Sequence, residues 1–325
     1  MMQLFNGLGA VPPGFGPSAV TVGKFDGVHL GHRGVLTQLT SLAADRGLLP
    51  VVATFDRHPF ALLRPDDCPE ALVSNAQRAD LLAESDVAAT LVLEFNRELS
   101  ELPPIAFAER ILHDALDARL VLVGTDFRFG HRGEGRIDSM REHGRIFGFE
   151  VVLLEDVLVD GRRVSSTNIR QHLSAGEVRE AAKLLGRYPR VRSTVVHGDA
   201  IGREIGFPTA NLDPAMEGFL PADGVYAAWA WIDGVRHGAA VSIGNNPTFD
   251  GIPARRTEAH LIDTSLDAYG KTIELDFVEY LRPMVKFDGV PTLVAALAAD
   301  TERIRALLAE EAGLGSDPAP DAPRP

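Results

Sequence analysis

The spacing of apolar positions changes about half-way along this chain, and the change divides it. In the first half, short uninterrupted apolar runs alternate with stretches in which apolar residues recur every three or four positions. Residues 18–22, 50–55, 89–93, 119–124 and 151–154 are of the first kind and read as strands covered on both faces. Between them, residues 33–46 carry Val35, Leu36, Leu39, Leu42 and Ala43 on one stripe, and a second helix is expected over 75–84. Pro103 and Pro104 open a third, with Ile105, Ala108, Ile111, Leu112 and Leu116 on one side. This alternation predicts a doubly wound α/β domain built on a parallel sheet, where ligands bind outside the carboxyl ends of the strands. One more helix is expected over 176–186, with Val178, Ala181, Ala182, Leu184 and Leu185 available for packing.

From residue 190 to about 280 the runs are short, β-branched and punctuated by Gly, Pro and Asn. The strand candidates are 191–196, 224–231, 235–243, 256–261 and 273–278, with a hairpin signal at Asp233-Gly234. They predict a closed or nearly closed antiparallel β-barrel. A terminal amphipathic helix follows over 292–311, with Leu293, Leu297, Ile304, Leu307 and Leu308 as its stripe. The expected domains are therefore 1–187 and 188–312. The Pro/Ala/Asp tail at 313–325 has too little apolar content for a core and is expected to be disordered.

Composition narrows the function classes. Across 325 residues, 45% are apolar, and the formal net charge of −13 argues against a nucleic-acid-coating protein. A nucleotide substrate stays open, because local amides and a few cations can hold one. Cys68 is the single cysteine, so neither an intrachain disulfide nor a cysteine zinc site is expected. Residues 1–16 lack a basic leader, and no apolar run approaches a membrane span. The reading is a soluble, cytoplasmic protein with no nucleic-acid or membrane partner. A homo-oligomer is left open.

The candidate chemistry gathers at strand ends. Gly23-Lys24-Phe25-Asp26-Gly27-Val28-His29-Leu30-Gly31-His32 lies at a strand-to-helix turn, where backbone N–H groups and the helix dipole favour an anion. His29 and His32 share a face if the first turn is already helical. A plain glycine turn with two exposed histidines is the competing reading. Thr54-Phe55-Asp56 and Gly124-Thr125-Asp126-Phe127-Arg128-Phe129-Gly130 also follow strands. Ser165, Ser166, Thr167 and Arg170 open a short helix, either as caps or around a phosphate. In the second half, Gly198, Gly202, Arg203, Gly206, Thr209 and Asn211 form a Gly-rich stretch without the Gly-Lys-Ser/Thr ending of a Walker A loop. It reads equally as a barrel loop or as a phosphate site with oxygen ligands for a hard cation.

Taken in order, these motifs resemble the prokaryotic bifunctional riboflavin kinase/FMN adenylyltransferase (FAD synthetase) family. The residues that carry the likeness in the first half are Phe25 to His32, Thr54-Phe55-x-x-His58-Pro59, Gly124 to Gly130, and Ser165-Ser166-Thr167-x-Ile169-Arg170. In the second half they are Gly198 to Asn211, Gly224-Val225-Tyr226-Ala227, Ser242-Ile243-Gly244-x-x-Pro247-Thr248-Phe249, Glu258 to Asp263, Tyr269-Gly270-Lys271, and Leu281-Arg282-x-x-x-Lys286-Phe287. The resemblance implies an HxGH nucleotidyltransferase domain followed by a riboflavin kinase barrel, with riboflavin, FMN and ATP as substrates and Mg²⁺ as cofactor. It implies that His29 and His32 stabilise phosphates in adenylyl transfer. Gly23, Phe25, Asp26 and Gly27 would face ATP, with Ser165, Ser166, Thr167 and Arg170 on the pyrophosphate. Asp126, Phe127 and Arg128 would line the flavin pocket. For the kinase it implies Gly202, Arg203 and Gly206 at phosphate, Thr209 and Asn211 at Mg²⁺, and Glu258 as base for the ribityl hydroxyl.

Two departures stand out: Tyr188-Pro189 is transposed relative to the usual order, and Asp199-Ala200-Ile201 lacks a basic residue often found before Gly202. The rival readings are an HxGH adenylyltransferase for another small phosphate ester, and a flavin-binding regulator that has lost catalysis. The Gly198–Asn211 signature with Glu258 argues against the first; the intact histidines, Arg170, Thr209, Asn211 and Glu258 argue against the second. Whether the long 56–74 loop closes over a ligand is not legible in the sequence.

Overall fold

The structure is a computed structural model that describes residues 1–154, 158–159, 161–198, 201–244, 255–264 and 266–313. The chain forms two compact units, Met1–Ser166 and Thr167–Pro325. The motif residues Asp199, Ala200, Pro247, Thr248 and Phe249, and the tail from 314, lie outside the described residues.

The first unit contains a six-stranded parallel sheet. Its strands are β1 (Gln3–Asn6), β2 (Ser18–Val22), β3 (Leu49–Phe55), β4 (Ala89–Leu93), β5 (Ala118–Gly124) and β6 (Glu150–Leu154). They lie side by side in the order β1-β4-β3-β2-β5-β6. Succession runs outward from β2 through β3 and β4, then restarts on the other side at β5. That reversal makes a crevice between the carboxyl ends of β2 and β5.

Alternation along each strand explains the uninterrupted apolar runs. Val121 and Val123 of β5 join one core, and Leu120 and Leu122 join the other. On the second face lie α1 (Leu30–Arg46) and α2 (Asn75–Ala83), through Leu36, Leu39, Ala43 and Leu82. Opposite them, α3 begins at Pro104–Phe107 and widens into a π-helical stretch, Ala108–Ala115. It packs with Met140 of α4 (Ile137–Phe147) on the first face. Gly47, at φ 65, ends α1 in the left-handed conformation that glycine tolerates. Beyond β6, a small antiparallel hairpin pairs β7 (Leu158–Val159) with β8 (Arg162–Arg163).

Helix α5 (Ser166–Ser174), which starts at the last residue of the first unit, and α6 (Val178–Leu185) of the second precede the barrel. The six barrel strands are β9 (Arg190–Val196), β10 (Ala210–Leu212), β11 (Gly224–Ile232), β12 (Val235–Gly244), β13 (Arg256–Leu261) and β14 (Thr272–Arg282). They close antiparallel in the order β10-β13-β12-β11-β14-β9, with β10 also pairing β9. Five of these match the expected runs; β10 is a short strand inside the stretch read as a loop. Asp233 and Gly234, at φ 50 and 78, make the two-residue turn between Ile232 and Val235. The terminal helix α7 (Val290–Gly313) packs Ile304 and Leu308 against Val225, Ala227 and Val278 on the outside of the wall.

Candidate active sites

The first site grows out of the turn between β2 and α1. Phe25 and Val28 have φ of 49 and 35, a left-handed conformation that costs about 1–3 kcal/mol for each non-glycine residue. Several bonds hold the turn there. The Lys24 carbonyl accepts from Thr54 Oγ1 at 3.1 Å and from Arg78 Nη1 at 3.3 Å. Asp26 Oδ1 accepts from the Leu72 N–H at 2.8 Å, and the Asp26 carbonyl from Ser166 Oγ at 2.9 Å. Bonds from a charged donor such as Arg78 contribute about 1.5–3 kcal/mol, enough to offset much of the strain. Gly23 is required because a Cβ there would lie 2.9 Å from the buried Phe25 ring.

His29 is the N-cap of α1 and only 5% exposed. Its Nδ1 accepts the His32 N–H at 3.3 Å, so in the neutral ring the proton sits on Nε2, which becomes a donor. The His29 and His32 rings stack at 3.7 Å and 15°, and His32 also faces Phe25 at 4.9 Å. Gly31 makes this possible, since a Cβ there would stand 3.0 Å from His29 Cε1. The two histidines expected to share a face do so.

Around this turn, Lys24 Nζ and His58 Nε2 lie 3.1 Å apart, joining the loops that follow β2 and β3. The 56–74 loop is tied down by the Asp26–Leu72 bond and has a short helical turn at Phe60–Leu63. Burial pushes the Asp56 carboxyl up, but the Arg57 side chain and the Phe95 N–H outweigh it and hold the group below its ordinary value. Across the crevice, exposed Asp126 pairs with Arg163 of β8 at 3.1 Å. Half-buried Phe127 stacks on Phe129 with a 5.7 Å centroid separation, while Arg128 is exposed. Ser165 is half-buried beside Ser166. Thr167 and Arg170 follow on α5 and fall in the second unit.

The second site lies against the outside of the barrel wall. Asn211 on β10 and Glu258 on β13 are register partners, and Thr209 Oγ1 donates to Glu258 Oε2 at 3.2 Å. Along β13 the odd positions Thr257, Ala259 and Leu261 are buried, so Glu258 and His260 share the other face. His260 Nδ1 donates to the Pro208 carbonyl at 2.9 Å and so anchors the Pro208-Thr209 segment. Two glycines are sterically required: a Cβ on Gly198 would overlap the Asn211 amide, and one on Gly202 would overlap the Phe207 carbonyl. The Phe207 N–H closes back on the Gly202 carbonyl at 2.7 Å, with Arg203 exposed between them and Gly206 at φ 86.

A pocket is lined by the polar Thr209, Asn211 and Glu258 and by the apolar Met284, Leu293 and Leu297. Its wall includes Arg282, held by Asp300 through bonds of 3.0 and 2.7 Å, and Thr301. Leu293 and Leu297, expected only as helix stripe, thus line a cavity. Nothing in their spacing could have distinguished the two roles. No cluster of three or more His, Cys, Asp or Glu side chains able to hold a metal occurs among the described residues. The oxygens of Thr209 and Asn211 nevertheless suit Mg²⁺, a hard cation that takes few protein ligands and shares substrate phosphates.

Comparison with known proteins bears on both sites. The FAD synthetase family model matches residues 14–168 and the riboflavin kinase model matches residues 185–308. A bifunctional riboflavin kinase/FMN adenylyltransferase from Pseudomonas fluorescens is 35% identical over 96% of this chain and 99% of its own length. This chain belongs to that bifunctional family. A member from Listeria monocytogenes is 36% identical over 90% of this chain and 92% of its own. A crystal structure described as a macrolide-efflux protein from Streptococcus pneumoniae is 33% identical, with a TM-score of 0.84 over 94% of this chain and 99% of that one. Among the described residues, no helix is long and apolar enough to cross a membrane.

Proposed function

We propose that the chain phosphorylates riboflavin to FMN with ATP in its barrel unit, and adenylylates FMN to FAD with ATP in its parallel-sheet unit. The observation that carries this reading is that each unit holds a polar cluster of its own. One has the stacked His29 and His32 at a helix N-terminus; the other has Asn211 and Glu258 on adjoining strands, with Thr209 just before the first of them.

For adenylyl transfer, an FMN phosphate oxygen attacks the α-phosphorus of ATP and the bond to pyrophosphate breaks. Negative charge moves onto the leaving group, and preorganised donors aimed at it lower the barrier. His29 Nε2–H and His32 supply such donors, the turn of Gly23, Phe25, Asp26 and Gly27 carries the ATP, and Ser165, Ser166, Thr167 and Arg170 take the pyrophosphate. Asp126, Phe127 and Arg128 receive the flavin. In the kinase, Glu258 accepts the proton of the ribityl 5′-hydroxyl, while Gly202, Arg203 and Gly206 cradle phosphates. Thr209 and Asn211 hold Mg²⁺, which when bound neutralises phosphate charge. The charged phosphate-bearing substrates, ATP and FMN, suit work in the cytoplasm.

Purified protein given riboflavin, ATP and Mg²⁺, with flavins separated by chromatography, should yield FMN and then FAD. Replacing His29 and His32 together by Ala should slow FAD formation by about 10²-fold or more, the scale of lost transition-state donors, and leave FMN formation intact. Asn211→Ala should stop FMN formation yet still convert supplied FMN to FAD. Loss of both activities in either folded variant would refute two separate sites.

A further inference from the structure

Arg78 is only 8% exposed, and none of the chemistry above uses it. It sits in the first turn of α2, where Ser74 and Gln77 cap the helix reciprocally. Its guanidinium reaches three acceptors on three segments. Nη1 donates to the Lys24 carbonyl at 3.3 Å, while Nη2 donates to the Phe55 carbonyl at 2.5 Å and to Asn75 Oδ1 at 2.7 Å. Asn75 in turn donates through Nδ2 to the Asp56 carbonyl at 2.7 Å. A buried cation thus joins the loop after β2 to the loop after β3, with helix α2 as the rigid support.

The contact at Lys24 is the informative one. That carbonyl belongs to the peptide whose N–H is Phe25, a trans bond, so the Phe25 N–H points away from the Lys24 oxygen. Two donors on the oxygen, Thr54 and Arg78, polarise the peptide and strengthen the N–H on its other side. They also fix Phe25 at φ 49, the turn that leads to His29. A neutral or misdirected residue at position 78 would remove the direct link between the two loops and leave the Lys24 carbonyl to Thr54. A planar guanidinium serves this geometry better than an ammonium, because its donors diverge in a fixed fork.

We propose that Arg78 is a positioning residue for adenylyl transfer, clamping the carbonyls of Lys24 and Phe55 so that the Gly23–Gly27 turn and its histidines meet the triphosphate in reactive geometry. This rests on assigning adenylyl transfer to the first unit. FAD formation by the unaltered full-length chain checks that assignment before any variant is made.

The test uses full-length Arg78→Met and Arg78→Lys, with riboflavin phosphorylation by the same molecules as internal control. Arg78→Met should lower kcat for FMN adenylylation by about 10- to 100-fold, the scale of an ångström-sized misplacement. The KM values for FMN and ATP should move less than threefold, and riboflavin phosphorylation less than twofold. Arg78→Lys should restore part of the lost kcat. Adenylylation within twofold of the parent in Arg78→Met would overturn the proposal, as would a loss lying wholly in KM. Loss of the first unit's cooperative thermal transition in both variants would equally overturn it, making Arg78 a stability residue.

Discussion

His29 and His143 show how burial gives one side chain different tasks. His29 spends Nδ1 on a helix amide and keeps Nε2 as a donor. His143 is 8% exposed on α4, edge-on to Phe129 at 6.0 Å, and its Nδ1 is buried with no hydrogen-bond partner among the described residues. Burial holds its imidazole below the ordinary histidine range, against a smaller opposing pull from Glu142. The unfolded chain therefore takes up a proton that the folded chain resists. Stability from this group is present above the unfolded value of about 6.5 and is lost as pH falls through the lower folded value. Denaturant titrations between pH 7.5 and 5.5 should show the first unit weakening toward acid, and His143→Gln should flatten that slope. An unchanged slope would show that His143 does not titrate on unfolding.

At the level of elements, the glycines of the second site carry a sharper expectation. Gly202→Ala forces a Cβ onto the Phe207 carbonyl, so the Gly202–Thr209 segment must shift. Riboflavin phosphorylation should fall at least tenfold while adenylylation of supplied FMN is unchanged, as kinetic assay of the purified variant would show. That glycine stood out in the sequence, and so did the strands and helices whose apolar spacing repeats. The elements that escaped have little spacing to read. In β1 only Phe5 is buried, so its four residues look like a polar terminus. In α4 the buried face is Met140, His143 and Gly144, which does not register as an apolar stripe. Strand β10 has three residues directly after a Pro-Thr pair and takes its structure from its neighbours. Arg78 was illegible for a related reason: on an amphipathic helix, an arginine reads as part of the solvated side until its acceptors are known.

For the molecule as a whole, the expected division at residue 187 and the packing of the preceding helices invite a direct test. Val178, Ala181 and Leu185 of α6 are buried. Arg179 pairs with Glu279 of β14 and with Glu311 of α7, which also accepts from Tyr188 Oη. The Ala222 N–H bonds to the Leu173 carbonyl at 3.0 Å. A fragment spanning 167–313 should therefore melt several degrees higher than one spanning 188–313, as calorimetry would show. Equal melting temperatures would place the boundary at 187.

The closure of the barrel has a consequence of its own. Six strands make a hoop, but the stave that completes it is only three residues long, and the middle one is Asn211. Whatever grips that amide also grips the seam, so occupancy and closure are two readings of one equilibrium. By that linkage, a nucleotide that binds only the closed form tightens the hoop as it binds. Amide exchange at Val196 on one flank, and at Ala259 on the other, would register its arrival as slowed opening, before any flavin has reacted.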